Sequence, residues 1–448
     1  MKNELVTEKF AEWLCSVRYS ELPLEVRTKT LDVIFDSVGC MLACSGLPEV
    51  KAIVEFVQEI SDRPECAIVG HNLRSSVVGA AMANGGMAHG DEVDPVHLSS
   101  SGGHVAAGTV PTALTVAEWV DATGTDLVRA VALGYEVGGR LMTILYRERD
   151  YVARRFYHTS VAGALTSAVT ASLLLGLEPR SIQVALGLAA YQAAGPDNMT
   201  KDPGHMGKTF QVAAANRNGV TAALLARKDC YVPLDILDGQ FGFFDAFLQT
   251  TDVSSLMLKD LGRYYAVTDV MHKRYPVGSP NQTYLQGLFA MFTEHKIRSE
   301  DIREIEIQIP KRSVHRIPTT RHASISGEVV AAIAAVNGTL DFFKLHDGTV
   351  AAAPAVEQMR KRIRFVGRED WTDLSHGRHA IITLNTNQGQ VLKKEVWLEP
   401  MTREELDVKF TGLVAPKWGE EKTRRLKEQI GELETAKSIR PLIRQLQG

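Results

Sequence analysis

Cysteine is sparse in this chain, and so are the other features that would settle its class at once. The five cysteines, Cys15, Cys40, Cys44, Cys66 and Cys230, form no CxxC pair and no Cys/His cluster. Neither a disulfide framework nor a thiolate zinc site is therefore indicated, and reduced, partly buried thiols in a cytoplasmic protein are expected. Net charge is also small, at −3, which points to neither a nucleic-acid partner nor an anionic membrane surface. No long apolar run is clean: Val161 to Leu177 is at the short limit of the roughly 17–25 residues a span needs, and it carries Thr166, Ser167, Thr170 and Ser172. A buried helix is the better reading. The opening residues show no secretory pattern. HExxH, GxxxxGK[ST], GxSxG and a GxGxxG after a strand are all missing from the polar stretches, so metalloprotease, nucleotide and serine-hydrolase chemistry lack support. The expectation is no metal and no cofactor.

What is present is ordinary globular material, 45% apolar and 23% charged over 448 residues, enough for two or three domains or one large core with an appendage. The first half reads as helix after helix, and small residues dominate it: GAAMANGGMAHG, VAGALTSAVTASLLLGL and QVAAANRNGVTAALLAR. Ala, Gly and Ser on helix faces let axes approach closely, which predicts a large helical core. Near residue 268 the character changes. Ile305, Ile307 and Ile309 alternate with polar neighbours over Arg303–Pro310 as in a half-buried strand, and Ala380 to Trp397 reads as a hairpin around an NQG turn. Gly327 to Val336 and Asp341 to Leu345 read as helices between them. After Pro400 the chain turns helical again, opening with Thr402 and Glu405 in a capping-box pattern. The expected fold class is mainly α with an α+β insertion: a helical main domain over 1–267, a smaller α+β lid domain over 268–400, and a C-terminal segment over 401–448 returning to the helices.

Four stretches gather ionisable groups beside glycine. In AHGDEVDPVH, followed by SSSGGH, His104 is a candidate acid or base, with Glu92 or Asp94 as its orienting partner. A solvated loop with helix-capping acids is the bland alternative. In RRFYHTS, His158 falls at the start of the small-residue helix, where backbone N–H groups favour an anion and lower an imidazole's pKa, as suits a base near neutrality. A capping histidine would look the same. In GHMGKTF, Lys208 at a helix entry can pair with a substrate carboxylate, although most such lysines are solvated. In MHKRYPVGSPNQ, Pro276 and Gly278 prevent regular structure, and Lys273 at a domain junction suits a cleft holding a small anionic substrate. Ser279 and Gln282 of the same stretch are further candidate substrate contacts.

Taken in order, these stretches resemble the MmgE/PrpD family, which includes 2-methylcitrate dehydratases, cis-aconitate decarboxylases and iminodisuccinate epimerases. The likeness runs from LPLEVRTKTLDVIFDSVGCMLACSG through NGGMAHGDEVD, YHTSVAGALTSA, GKTFQVAAANRNGVTAALLAR, ILDGQFGFFDAF and KRYPVGSPNQT to DVKF. It implies a helical main domain with an α+β lid, a homodimer, no metal, and an active site between the domains. By the resemblance, His104 and His158 handle protons, while Lys208 and Lys273 bind substrate carboxylates. There are departures. Where the family shows an HAxDFDDT-like element, this chain has Glu92 for an aspartate, and Pro95 and Val96 for an aspartate and a threonine. Gln282 stands for a histidine, and Gly327 or Glu328 for a tyrosine or its neighbour. The implied activity is an acid–base lyase, first of all a dehydratase of a hydroxy-polycarboxylate. Epimerisation, decarboxylation and non-catalytic carboxylate binding on the same scaffold are the alternatives.

Overall fold

The computed structural model describes residues 5–148, 155–202, 204–228, 230–317, 322–346, 348–371 and 378–448. Its principal helices in the first part are α1 (Val6–Ser16), α2 (Leu24–Cys44), α3 (Pro48–Ile60), α4 (Val77–Ala88), α5 (Ala106–Val120), α6 (Gly124–Arg147), α7 (His158–Leu174), α8 (Pro179–Ala190) and α9 (Met206–Ala226). At their centre is α7, packed against α5, α6, α8 and α9, with every residue from His158 to Leu173 buried. The small residues make this possible. A Cβ added to Gly219 of α9 would sit 2.6 Å from the carbonyl oxygen of Ala164, so the two backbones approach at a distance only glycine permits. The apolar stretch that includes Val161 is thus a core helix. Among the described residues no single helix is long and apolar enough to cross a membrane.

The later part adds α10 (Gln282–His295), β1 (Ile302–Pro310), α11 (Gly327–Asn337), α12 (Phe342–His346), β2 (Ile363–Arg368), β3 (His379–Thr386) and β4 (Val391–Trp397). The strands form one sheet in the order β2-β1-β3-β4, parallel between β1 and β2 and antiparallel elsewhere. Ile305, Ile307 and Ile309 all point inward, as their alternation requires, and Ile307 pairs with Ile382 of β3. The NQG segment turns β3 into β4, with Gly389 at positive φ. These elements close around their own core, from Val277 to Val396.

The chain then returns to the helices through α13 (Arg403–Trp418), α14 (Glu420–Gly431) and α15 (Arg440–Leu446), whose apolar residues join the first core. Thr402 caps α13 reciprocally with Glu405, and Phe410 stacks on Phe35 of α2 at 4.2 Å between ring centroids. The architecture is the mainly helical one with a smaller α+β unit that the sequence patterning anticipates.

Candidate active site

The turn after α4 is where the two cores meet. Residues His89 to Val96 leave the helix, and His97 pairs by backbone with Val270, ahead of Lys273. Asp94 lies at the middle of this turn and is fully enclosed. Its Oδ2 accepts from His89 Nδ1 at 2.9 Å and from His104 Nδ1 at 2.8 Å. Behind His89, its Nε2 meets the Tyr157 hydroxyl at 2.8 Å. The result is a buried chain from Tyr157 through His89 and Asp94 to His104. With Nδ1 engaged by Asp94, His104 keeps Nε2 for proton exchange. Burial opposes the ionisation of Asp94, yet the imidazoles of His104 and His89 and the Lys208 ammonium hold its pKa well below the carboxylate range. Burial lowers the pKa of His104, and the Asp94 charge only partly restores it. His89, enclosed beside Lys208, is pushed down to about 3.

His158 enters from the first turn of α7. Its neighbour Thr159 accepts from the His104 backbone N–H at 3.1 Å, which ties the two histidine segments together. The imidazole is buried, Nε2 has no hydrogen-bond partner, and desolvation reinforced by Arg316 lowers its pKa to about 3. A Cβ on Gly103 would lie 3.1 Å from that nitrogen, so glycine leaves the room His158 occupies.

The lysines arrive from opposite sides. Lys208, in the first turn of α9, donates to the carbonyls of His89 and Asp91 at 3.2 and 3.0 Å, and its Nζ lies 3.7 Å from Glu92 and 3.9 Å from Asp94. Lys273 is fully buried, 2.9 Å from Glu92 Oε2 and 4.0 Å from Asp94 Oδ1. Burial would lower its pKa, but Glu92 and Asp94 raise it, so it stays charged. Asp94 Oδ1, close to both ammoniums, makes no hydrogen bond of its own. Of the two carboxylates offered as partners for His104, Asp94 fills that place; Glu92 belongs to the lysines.

Gln282 departs from expectation. Its Oε1 accepts from the N–H groups of Arg274 and Tyr275, and its Nε2 donates to the carbonyls of Tyr275 and Val277. With the amide fully committed to the backbone after Lys273, it shapes that turn and has no free donor for a substrate. Ser279 is half-buried, and its Oγ lies 3.3 Å from where a Cβ on Gly102 would stand, facing the His104 loop. Gly327, which with Glu328 stands where the resemblance places a tyrosine or its neighbour, has no space for a side chain: a Cβ there would come within 2.5 Å of Ile317 and 3.0 Å of Phe365. Arg154, which opens the second polar stretch, lies outside the described residues.

Several contributors escape a reading of the sequence. His89 and Tyr157 stand inside the quoted stretches, but nothing in their spacing reveals that they meet. Asp36 of α2 is bonded by His272 Nδ1 at 2.7 Å and Lys409 Nζ at 2.6 Å, and Lys409 also donates to the Val93 carbonyl. This buried trio braces both the Asp94 turn and the segment of Lys273. Lys409 falls within the DVKF element, the one signal that could have drawn attention to it.

Among the described residues, two groups of side chains have the composition and spacing to hold a metal ion: His89, Asp94 and His104, and separately Asp91, His205 and His322. In the first, the Asp94 oxygen is already shared by two imidazole N–H groups.

A helical core and an α+β unit meeting at a buried histidine–carboxylate–lysine cluster define the class. The chain belongs to the MmgE/PrpD family: residues 8–256 match its N-terminal domain and residues 275–435 its C-terminal domain. Curated relatives include a cis-aconitate decarboxylase-like protein, oryM, of Aspergillus oryzae, 25% identical with 99% of this chain and 97% of that protein covered. The cis-aconitate decarboxylases of Aspergillus terreus and Mus musculus are 24% and 25% identical, covering 98% and 99% of this chain and 95% and 93% of their own lengths.

Proposed function

We propose that this protein is a lyase acting on a small polycarboxylate by proton transfer, with His104 as the proton-handling group. The observation that carries the reading is the shared Asp94: one oxygen orients His104 at 2.8 Å while the other faces two ammoniums at 3.9 and 4.0 Å. A substrate carboxylate near Lys208 and Lys273 would be held beside His104 Nε2. His158, desolvated and with Nε2 unpartnered, is the second proton-handling group. Arrival of the anionic substrate raises the pKa of both imidazoles by opposing their charge, so either can deliver a proton.

Among lyase reactions we favour decarboxylation, because the relatives covered over most of their length are named for it. The bond from carbon to a carboxylate breaks, carbon dioxide leaves, and the electron pair takes a proton from the imidazolium. The lysines stabilise the negative charge developing on the retained carboxylates. Dehydration, expected first from the sequence, is the second reading on the same groups. One imidazole would take the proton from carbon and the other, as imidazolium, would protonate the departing hydroxyl. All these side chains are nine-tenths or more buried, so substrate entry requires the segments around Lys273 and Ser324 to part from the Asp94 turn.

A panel of unsaturated and hydroxy di- and tricarboxylates followed by NMR in deuterated buffer tests the proposal. Carbon dioxide release with one deuterium incorporated at carbon is expected; loss of water, or exchange alone, would select dehydration or epimerisation. Ligand-induced thermal stabilisation without turnover across the panel would reduce the protein to a carboxylate-binding homologue.

A further inference from the structure

Three residues before Asp94, a second buried carboxylate gathers histidines of its own. Asp91 is 1% exposed, and its Oδ2 meets His346 Nε2 at 2.8 Å. Its Oδ1 accepts from the Ser324 hydroxyl at 2.8 Å and lies 3.7 Å from His205 Nε2. That nitrogen is buried and has no hydrogen-bond partner. His322 completes the set, with its ring 4.6 Å from that of His205 and its Nδ1 2.9 Å from Ser324 Oγ. One ligand atom each from Asp91, His205 and His322 lie within 4.8 Å of one another. None of these groups has a part in the proton transfer proposed above.

From this geometry we propose a binding site for a divalent transition metal of the zinc class, with Asp91, His205 and His322 as ligands. Two imidazoles and a carboxylate suit late first-row dications, and three protein ligands leave a coordination position open. Zinc holds such donors at about 2.0–2.2 Å, which sets ligand atoms a little over 3 Å apart. The 3.7 Å separation of His205 and Asp91 is already near that, and the wider group closes by about an ångström. His346 does not need to ligate. Bonded to the far oxygen of Asp91, it orients the carboxylate as outer partners of metal ligands do. Ser324 serves the same end through Asp91 Oδ1 and His322. The Lys208 ammonium, donating to the Asp91 carbonyl, opposes a cation here, and Glu92 beside it offsets that charge.

The ligands come from both sides of the molecule. Asp91 and His205 belong to loops at the ends of helices of the larger core, whereas His322 precedes α11, and Gly278 N–H bonds the Ser324 carbonyl at 2.8 Å. A metal at this position fastens the α+β unit over the Asp94 turn and so stabilises the closed arrangement.

Metal content and cobalt spectroscopy, both measured without substrate, make the test independent of the lyase reading. Tag-free protein stripped with chelator is titrated with Zn2+ in equilibrium dialysis and with Co2+ in a spectrophotometer. One equivalent of zinc, a visible Co2+ band and a raised Tm are expected. His205→Gln and His322→Gln should each abolish binding, and His346→Gln should weaken it by about 10–100-fold. His104→Gln should leave it unchanged. Absence of binding to the wild-type protein overturns the proposal, as does binding that survives His322→Gln or disappears in His104→Gln. Should His205→Gln fail to fold, the half-buried His322 and His346 positions carry the same test.

Discussion

Asp91 and Asp94 occupy one short turn and share a chemical type, yet they face different halves of the molecule. Asp94 turns toward the helices, where two imidazole N–H groups converge on a single oxygen and two ammoniums lie near the other. Asp91 turns toward the α+β unit, whose Ser324 and His346 take one oxygen each, while His205 of the larger core stands nearby with Nε2 unbonded. Burial penalises both charges. The neighbours decide what each does: cations within 4 Å make Asp94 part of a proton-handling, anion-receiving site, while the imidazoles around Asp91 leave lone pairs for a cation. The turn at Glu92 and Val93 separates the two functions by only a few residues.

The sharpest way to break this contrast is Asp94→Asn. An amide whose oxygen stays between the two imidazoles turns its NH2 toward the two ammoniums, and the flipped amide turns it toward the imidazoles, so either way the charge that orients His104 is lost. A comparable exchange at an oriented catalytic histidine lowers turnover by about 10⁴-fold, and a loss of at least about 10³-fold is expected here. Far-UV circular dichroism should remain native. Activity within tenfold of wild type would remove Asp94 and His104 from the reaction. His158→Ala should cost about 10²–10⁴-fold by the same logic for the second proton-handling group.

Lys273 separates stability from chemistry in the next test. Lys273→Met leaves Glu92 buried beside Lys208 alone, which should destabilise the fold by about 3–5 kcal/mol. Replacing both partners, Lys273→Met with Glu92→Leu, should restore most of that in urea unfolding while leaving substrate binding impaired. If the single and double variants unfold alike, the ion pair is not what compensates the buried charges.

How much of this was legible in the sequence follows from what is local. Helices rich in Ala and Gly, the alternation at Ile305 to Ile309 and the NQG turn are short-range patterns, and the fold class follows from them. His104, Asp94, Lys208 and Lys273 stand beside glycines at helix entries and turns, where chemistry tends to collect, and the structure brings them together. The Asp91 cluster was invisible because its three histidines come from separate segments, each unremarkable by itself. Gln282 misled for a related reason. A polar residue near a basic motif reads as a substrate contact, and only the folded turn shows the backbone enclosing all four of its hydrogen-bonding positions. Gln282→Leu should accordingly act on stability, by about 1–3 kcal/mol for the backbone groups left unpaired, with little change in KM among folded molecules.

The smallest expected effect is one of pH, and it separates titration of the site from unfolding. Burial depresses the His104 pKa below its usual 6.5, so the imidazole of the free enzyme is neutral from pH 8 down through that value. Because the favoured reaction takes its proton from the imidazolium, kcat/KM should rise by up to about tenfold per unit as pH falls from 8 towards the folded-state pKa of His104, and level off below it. Asp94 titrates in the opposite sense. Its folded pKa is depressed, so its stabilisation is fully present above the unfolded value of about 3.9 and is lost only as pH falls through the lower folded value. Activity should therefore still be rising at a pH where Tm has hardly changed. Loss of activity together with Tm at the acid end would mark unfolding; a kcat/KM that stays flat from pH 8 to 6.5 would mean that His104 is not the group whose protonated form the reaction needs.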